Sequence, residues 1–185
     1  MNSTGIVIVL IVAAVIIIAA LIMMATRKRR SQKLRQQFGP EYDRVVRKEG
    51  DATKAERVLE FREKHRAKFK IRALSPTDRS SFRYRWNEVQ SRFVDDPKGA
   101  VTMAESLVTD VMQARGYPIA DFEQQAADIS VDHPVVVENY RAAHDVAQRH
   151  GRGQASTEDL RNAMVCYRAL FQELLDDNQP QRKGA

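Results

Sequence analysis

Four histidines are the residues of this chain that could bind a transition metal: His65, His133, His144 and His150. Two histidines of one helix share a metal ion when they are three or four residues apart, because both rings then lie on the same face. His144 and His150 are six residues apart, and the other two lie far from them in sequence. We therefore expect no metal site.

Cysteine and paired aspartates are the other candidates for chemistry. The sole cysteine, Cys166, has no nearby histidine and no evident basic activator, so we interpret it as a packing residue. Asp95-Asp96 and Asp176-Asp177 could act as acid and base or hold a divalent cation. We interpret the first pair as a helix cap and the second as part of a solvated tail. Glycine-rich phosphate loops and nucleophile motifs are absent from the sequence. The sequence predicts neither an enzyme nor a cofactor.

A long apolar segment near the N-terminus must set where in the cell the rest of the chain is held. Gly5 to Ala25 is a run of 21 residues without a charged side chain. As a helix it would be about 30 Å long, which is the thickness of the hydrocarbon core of a bilayer. The sequence predicts a transmembrane helix over 5–25, preceded by a short extracytoplasmic tail over 1–4.

Basic residues follow this segment and are absent before it. Because Lys and Arg next to a membrane helix remain on the cytoplasmic side, we expect the N-terminus outside and the domain in the cytoplasm. These residues serve either as a topological stop signal alone or also as a contact for anionic lipid headgroups. The predicted membrane-surface residues are Arg27, Lys28, Arg29, Arg30, Lys33 and Arg35.

Charge divides the remaining chain into two halves. Residues 26–92 carry 21 Lys and Arg against 9 Asp and Glu, a net +12, and residues 93–185 carry 9 against 15, a net −6. Either the basic half faces the anionic inner leaflet, or the two halves attract each other as they pack. A nucleic-acid partner is not expected, because the basic helix lacks a recognition motif and lipid would be the nearer polyanion.

Helical periodicity and capping signals recur from residue 40 onward. Helix starts are indicated at Asp51, Ser75-Pro76, Asp96-Pro97 and Ser156. Apolar stripes follow them, as at Phe82, Trp86, Val89 and Phe93, which we expect on one face of a core helix. The sequence therefore predicts an all-α fold: the transmembrane helix and then an antiparallel bundle of about four to six helices.

The predicted boundaries divide the chain into a basic juxtamembrane segment over 26–39, a helical domain over 40–176 and a flexible tail over 177–185. Within the domain, one helix is expected over about 52–73, with exposed lysines toward its end. Asp132 and Pro134 are expected to begin a later helix, and Gly151 to Gly153 to end it.

A short stretch of the domain resembles a known group of proteins. Trp86, Gln90 and Phe93-Val94-Asp95, followed by Pro97 and the apolar stripe from Ala100 to Met112, are similar to an uncharacterised group of bacterial single-pass membrane or secreted proteins. The similarity covers about thirty residues well and the rest of the domain loosely. It implies a bacterial origin and a fixed helix-helix corner at residues 93–97, and it supplies no activity.

These observations predict a membrane-anchored helical module that binds or scaffolds a partner protein, with its basic face toward the lipid bilayer. The alternative is an extracytoplasmic envelope or ligand-binding protein, in which the apolar segment is an uncleaved export signal.

Overall fold

The computed structural model describes residues 3–176, and their side chains from Ile11 onward. Within that range the chain forms eight α-helices and no strand. The predicted all-α fold with one long apolar N-terminal helix is confirmed. The helices are α1 (Ser3–Phe38), α2 (Pro40–Glu49), α3 (Ala52–Arg66), α4 (Pro76–Asp95), α5 (Pro97–Arg115), α6 (Phe122–Asp132), α7 (Val137–Gly151) and α8 (Thr157–Leu175).

Both ends of the chain extend beyond the described residues. Of the predicted tail 1–4, Met1 and Asn2 lie outside the described range, whereas Ser3 and Thr4 already belong to α1. The predicted flexible tail, 177–185, also lies outside it, and Asp177 with it.

Four helices begin at the side-chain caps that the sequence predicts. Asp51 accepts a hydrogen bond from the backbone of Lys54, at 2.8 Å, and so caps α3. Ser75 and Asp96 cap α4 and α5 in the same way. At Ser156 the hydroxyl and the carboxylate of Asp159 satisfy each other's backbone N–H groups, which is the reciprocal capping box. These predictions are confirmed.

Two helix hairpins form the larger part of the domain. The first consists of α4 and α5, the second of α7 and α8, and α5 packs against α8. Helices α5 and α8 each bury eight residues, whereas α4 buries Phe82, Trp86 and Val89 and leaves Phe93 half-buried. The predicted face of α4 therefore lines one side of a core that is centred on α5 and α8. We call the buried apolar residues of α4 to α8 other than Val131, together with Leu74 and Tyr117, the main core.

A second, smaller cluster joins the end of α1 to the next two helices. The juxtamembrane segment continues α1 without a break, and its amphipathic end turns apolar side chains toward α2 and α3. We call this group the N-terminal cluster: Leu34, Phe38, Tyr42, Val45, Ala55, Leu59 and Val131.

Helix α3 ends at Arg66 rather than at Ala73, so the predicted end is wrong. The chain between α3 and α4 instead crosses the C-terminal end of α5, where the backbone N–H of Arg72 donates to the carbonyl of Arg115 at 2.8 Å. Gly116 permits this crossing: its φ is +99°, and a Cβ atom there would lie 2.6 Å from the carbonyl oxygen of Lys70. A tertiary contact thus decides where α3 stops.

The predicted start of α7 is also wrong by several residues. Asp132 is the last residue of α6, and α7 begins at Val137 after a turn. The carboxylate of Asp132 is engaged elsewhere, since it pairs with Arg66 of α3 and accepts a 2.7 Å hydrogen bond from the hydroxyl of Tyr117. It therefore links α3 and α6 instead of capping α7.

Candidate functional site

From Ile11 onward, the apolar part of α1 is covered by no other described part of the chain. Every side chain from Ile11 to Arg30 is exposed, including large ones such as Ile16 and Met24. The most apolar stretch has a mean hydropathy of 2.1, and α1 is long and apolar enough to span a membrane. Since a water-exposed surface of this kind is unfavourable, α1 supplies a hydrophobic surface that requires a partner.

The six predicted membrane-surface residues divide into two sets of three, one with partners in the domain and one without. Three of them face the domain: Arg27 donates to Thr53 at 3.3 Å, Arg30 pairs with Glu60, and Arg35 pairs with Asp43 at 3.2 Å. These contacts lie on the same side as Leu34 and Phe38.

The other three basic residues have no partner in the described part of the domain. Lys28, Arg29 and Lys33 are exposed and make no hydrogen bond or ion pair with any residue in the range 3–176. The structure therefore separates a paired set from a set whose charges remain available to another molecule.

Distance along the helix separates these residues further. At 1.5 Å per residue, Arg29 lies about 6 Å beyond Ala25, whereas Lys33 and Arg35 lie about 12 and 15 Å beyond it. The headgroup layer on each side of a bilayer is about 5 to 8 Å thick. For an upright α1 that spans over 5–25, Arg27 to Arg30 would lie at the headgroups, and Lys33 and Arg35 beyond them.

The turn between α2 and α3 returns to the level of Arg27. Helix α2 runs back along α1 from Gly39, and the contact between Arg27 and Thr53 places the start of α3 beside the end of the apolar segment. Three further cations are exposed at this turn: Arg47, Lys48 and Lys54. The turn also contains Glu49 and Asp51, whose negative charges offset two of these three positive charges. Sequence reasoning missed them because they are about twenty residues away from the basic run, and only the reversal at Gly39 brings them back.

A buried carboxylate connects the N-terminal cluster to the main core. Glu41 of α2 is 2% exposed and accepts hydrogen bonds from Arg62 of α3, at 2.6 Å, and from both terminal nitrogens of Arg141 of α7, at 2.7 and 2.9 Å. Arg44 lies 3.7 Å away. Charge-assisted, two-pronged bonds of this kind hold a fixed geometry. We call Glu41, Arg62 and Arg141 the ionic joint.

A second polar contact lies between α3 and α6. Asp128 is 1% exposed; one of its oxygens accepts from Gln124 at 2.8 Å and lies 3.8 Å from His65, and its other oxygen has no hydrogen-bond partner among the described residues. Burial raises the pKa of this carboxyl, because the charged form loses its hydration. Together with the pair of Arg66 and Asp132, this contact makes the α3–α6 interface largely polar.

The candidate residues for chemistry are separated in space. His133 contacts Glu173, and His144 contacts Glu105 while its ring stacks on Phe122. Groups of three potential metal ligands are absent from the described part of the chain. Cys166 is half-buried, and burial raises the pKa of its thiol. Asp96 is the cap of α5, as expected, and its Gly99 and Arg92 contacts lower the pKa of the carboxyl.

Comparisons of this chain with protein-family models, with curated proteins and with solved structures find no match. The resemblance at Trp86 to Pro97 therefore stays a prediction that rests on those residues. Function has to be argued from the geometry of this molecule alone.

Proposed function

We propose that this chain is a non-enzymatic, single-pass protein of the bacterial inner membrane, whose helical domain binds or scaffolds a partner protein in the cytoplasm. One observation carries the proposal: α1 exposes apolar side chains on all its faces and then continues unbroken into the N-terminal cluster. An anchor that is continuous with the fold sets the position of the domain relative to the bilayer.

The unpaired cations supply the lipid-facing surface. Lys28 and Arg29 on α1 and Lys48 and Lys54 at the α2–α3 turn lie at the same level and are exposed. Each basic residue near an anionic leaflet contributes about 1 kcal/mol of attraction. The basic run also favours the cytoplasmic side for the domain, since Lys and Arg are retained there. The lipid-facing set is thus narrower than the six residues of the basic run and includes residues outside it.

Topology is the first test. A reporter that is active only in the cytoplasm, fused after Ala185, should be active, and a reporter that is active only outside should be silent. The opposite result would favour an extracytoplasmic envelope or ligand-binding protein with an uncleaved export signal, and would contradict the proposed orientation.

The seating of the domain on the leaflet is tested by a pair of labels on α3. Ala52 and Ala67 are both exposed and stand at opposite ends of this helix, about 22 Å apart. In a Cys166→Ser background, single variants Ala52→Cys and Ala67→Cys would carry a fluorophore, and the bilayer a quencher on its headgroups. We expect strong quenching of the label that replaces Ala52 and weak quenching of the one that replaces Ala67.

Charge variants test whether this quenching depends on attraction between the lysines of the turn and anionic lipid. Lys48→Gln with Lys54→Gln should reduce the quenching at the first label in vesicles that contain anionic lipid. Lys64→Gln with Lys68→Gln, which removes the same charge from the far end of α3, is the matched control and should change nothing. Equal quenching of both labels, or no dependence on anionic lipid, would contradict the proposed seating.

A further inference from the structure

A groove separates α4 from α8 on the outside of the main core. Both helices pack on α5, and they meet each other mainly through Trp86 and Phe171, whose rings stack with centroids 4.7 Å apart. On either side of this contact lie two cavities of about 640 and 240 Å³, which share Trp86, Gln90 and Arg168 in their walls. The two cavities form one continuous groove that is open to solvent.

The groove has an apolar floor and a polar rim. Trp86, Phe171, Phe93 and Met164 line its base, and Val165 stands half-exposed at its edge. Side-chain amides and cations stand above them: Asn87, Gln90, Gln172, Arg83, Arg161 and Arg168. This combination is typical of sites that bind a side chain or helix with both apolar and polar groups.

The cations of the groove lack the internal partners that nearby cations have. On the same two hairpins, Arg85 pairs with Asp110 and Arg92 with Asp96. Arg83 and Arg168 make no hydrogen bond or ion pair with any residue that the structure describes.

The third cation is only weakly paired. Arg161 has a 3.8 Å contact with Glu158 on its own helix, and both side chains are well exposed, so this pair contributes little. Among the described residues that line the groove, the one carboxylate is Asp176, at one end. The groove therefore carries a net positive charge, to which Arg83 contributes from the basic half of the chain and Arg161 and Arg168 from the acidic half.

The shape of the groove indicates what it would bind. Its α4 wall extends from Arg83 to Phe93, about 15 Å, which equals about three turns of a helix. On its α8 wall, Arg161 and Arg168 are seven residues apart and so lie on one face, two turns from each other. Carboxylates one heptad apart on a bound helix would match this spacing.

We propose that this groove binds an acidic amphipathic helix of a partner protein. Apolar side chains of that helix contact Phe93 and Val165, the more exposed apolar residues of the groove, and its carboxylates pair with Arg83, Arg161 and Arg168. Nucleic acid fits less well, because a base needs an open aromatic face, and Trp86 is 5% exposed and already stacked on Phe171. The inference deepens the proposed interaction function and does not depend on which compartment holds the domain.

The test is a selection from a library of random peptides, displayed against the full chain in detergent micelles. We expect enriched peptides with acidic residues one heptad apart on a helix with an apolar face. Binding should shift the fluorescence of Trp86, the single tryptophan of the chain, and so report on the groove directly.

Matched variants decide where such peptides bind. Arg83→Glu with Arg168→Glu should weaken the binding of a selected peptide by about tenfold or more, because it reverses two charges on the rim. Arg152→Glu, which reverses an exposed charge outside the groove, should change affinity by less than about twofold. All of these residues are exposed, and circular dichroism verifies that the helices are retained.

Three results would overturn the proposal: selected peptides without acidic residues, binding that is indifferent to the rim variants, or a single-stranded RNA or second copy of the chain that competes for the groove. The topology and quenching experiments do not involve the groove. Failure of the peptide-binding experiment would therefore leave the anchoring proposal intact. Failure of the topology or quenching experiment would leave the groove proposal intact.

Discussion

The main core and the N-terminal cluster differ in what holds their helices together. Among the described residues, the main core buries twenty-six apolar side chains and the N-terminal cluster seven. The cluster adds a buried carboxylate with two arginines and a polar interface with α6. A cluster this small buries little apolar surface, so α1 to α3 depend on charge-assisted bonds to stay attached to the rest of the domain.

This difference predicts how each region fails. Loss of an apolar side chain in the main core should lower the stability of the whole domain, because α4, α5, α7 and α8 share one core. Loss of the ionic joint should loosen α1 to α3 first and leave the hairpins folded. The four predictions below test this contrast, starting with the largest expected effect.

Trp86→Ala should destabilise the domain by about 3 to 5 kcal/mol, because it removes a large buried ring and its stacking on Phe171. Urea unfolding followed by circular dichroism in micelles measures this. The control is Tyr84→Ala on the same helix, whose ring is 66% exposed and whose loss should have little effect. A loss below about 1 kcal/mol for Trp86→Ala would contradict the assignment of α4 to the main core.

Glu41→Gln should cost about 3 kcal/mol, because Arg62 and Arg141 would be left as largely buried charges without their carboxylate. Hydrogen exchange should accelerate in α2, α3 and the end of α1 and stay unchanged in α5 and α8. Asp43→Asn, two residues further along α2, removes only an exposed pair and serves as control. Uniform acceleration across all helices would show that the ionic joint is not local.

Ser75→Ala and Asp51→Ala should each cost about 1 kcal/mol, one in each region. Both side chains cap a helix through a single bond to a backbone N–H group three residues on. Since a cap acts locally, the type of core behind it should not matter. Unfolding titrations of the two variants compare them, and a large difference between the losses would mean that one cap also supports tertiary packing.

Asp128→Asn should give a small gain in stability at neutral pH. Burial raises the pKa of Asp128, so the folded state binds a proton more readily than the unfolded state. The charged carboxylate therefore lowers the free energy of unfolding at pH 7. The groups that face it are His65, Gln124, Arg62 and Arg66. The gain should shrink as the pH falls through the raised pKa of the folded state, and should vanish below about pH 3, where the carboxyl is protonated in both the folded and the unfolded state. A loss at pH 7 would mean that the contact with His65 outweighs desolvation.

Local signals in the sequence were sufficient for most of the fold. Ser75, Asp96 and Ser156 mark helix starts because a cap bonds to backbone within three residues, and this leaves a pattern in the chain. Apolar stripes such as Leu160 to Leu174 are equally local, since their spacing follows from helix geometry. The apolar run of α1 needs no tertiary information at all.

Long-range polar contacts leave no such pattern. Glu41 and Arg141 are one hundred residues apart, and neither residue type nor spacing connects them. Arg115 at the end of α5 is 1% exposed and donates to the carbonyl of Leu174 at the end of α8, at 2.6 Å, a contact between residues far apart in sequence. Helix α3 was overextended for the same reason, because a crossing at Gly116, far along the chain, ends it. The division of the basic run into paired and unpaired residues likewise required the structure.

Because α1 is uninterrupted, the tilt of the proposed anchor sets the orientation of the domain. A helix that is longer than the local hydrocarbon thickness tilts to fit, so a thinner bilayer would incline α1 more. Because Leu34 and Phe38 fix the same helix inside the N-terminal cluster, no hinge absorbs this angle before the fold begins. The inclination of the domain, and with it the direction in which the groove between α4 and α8 faces, would follow the thickness of the membrane.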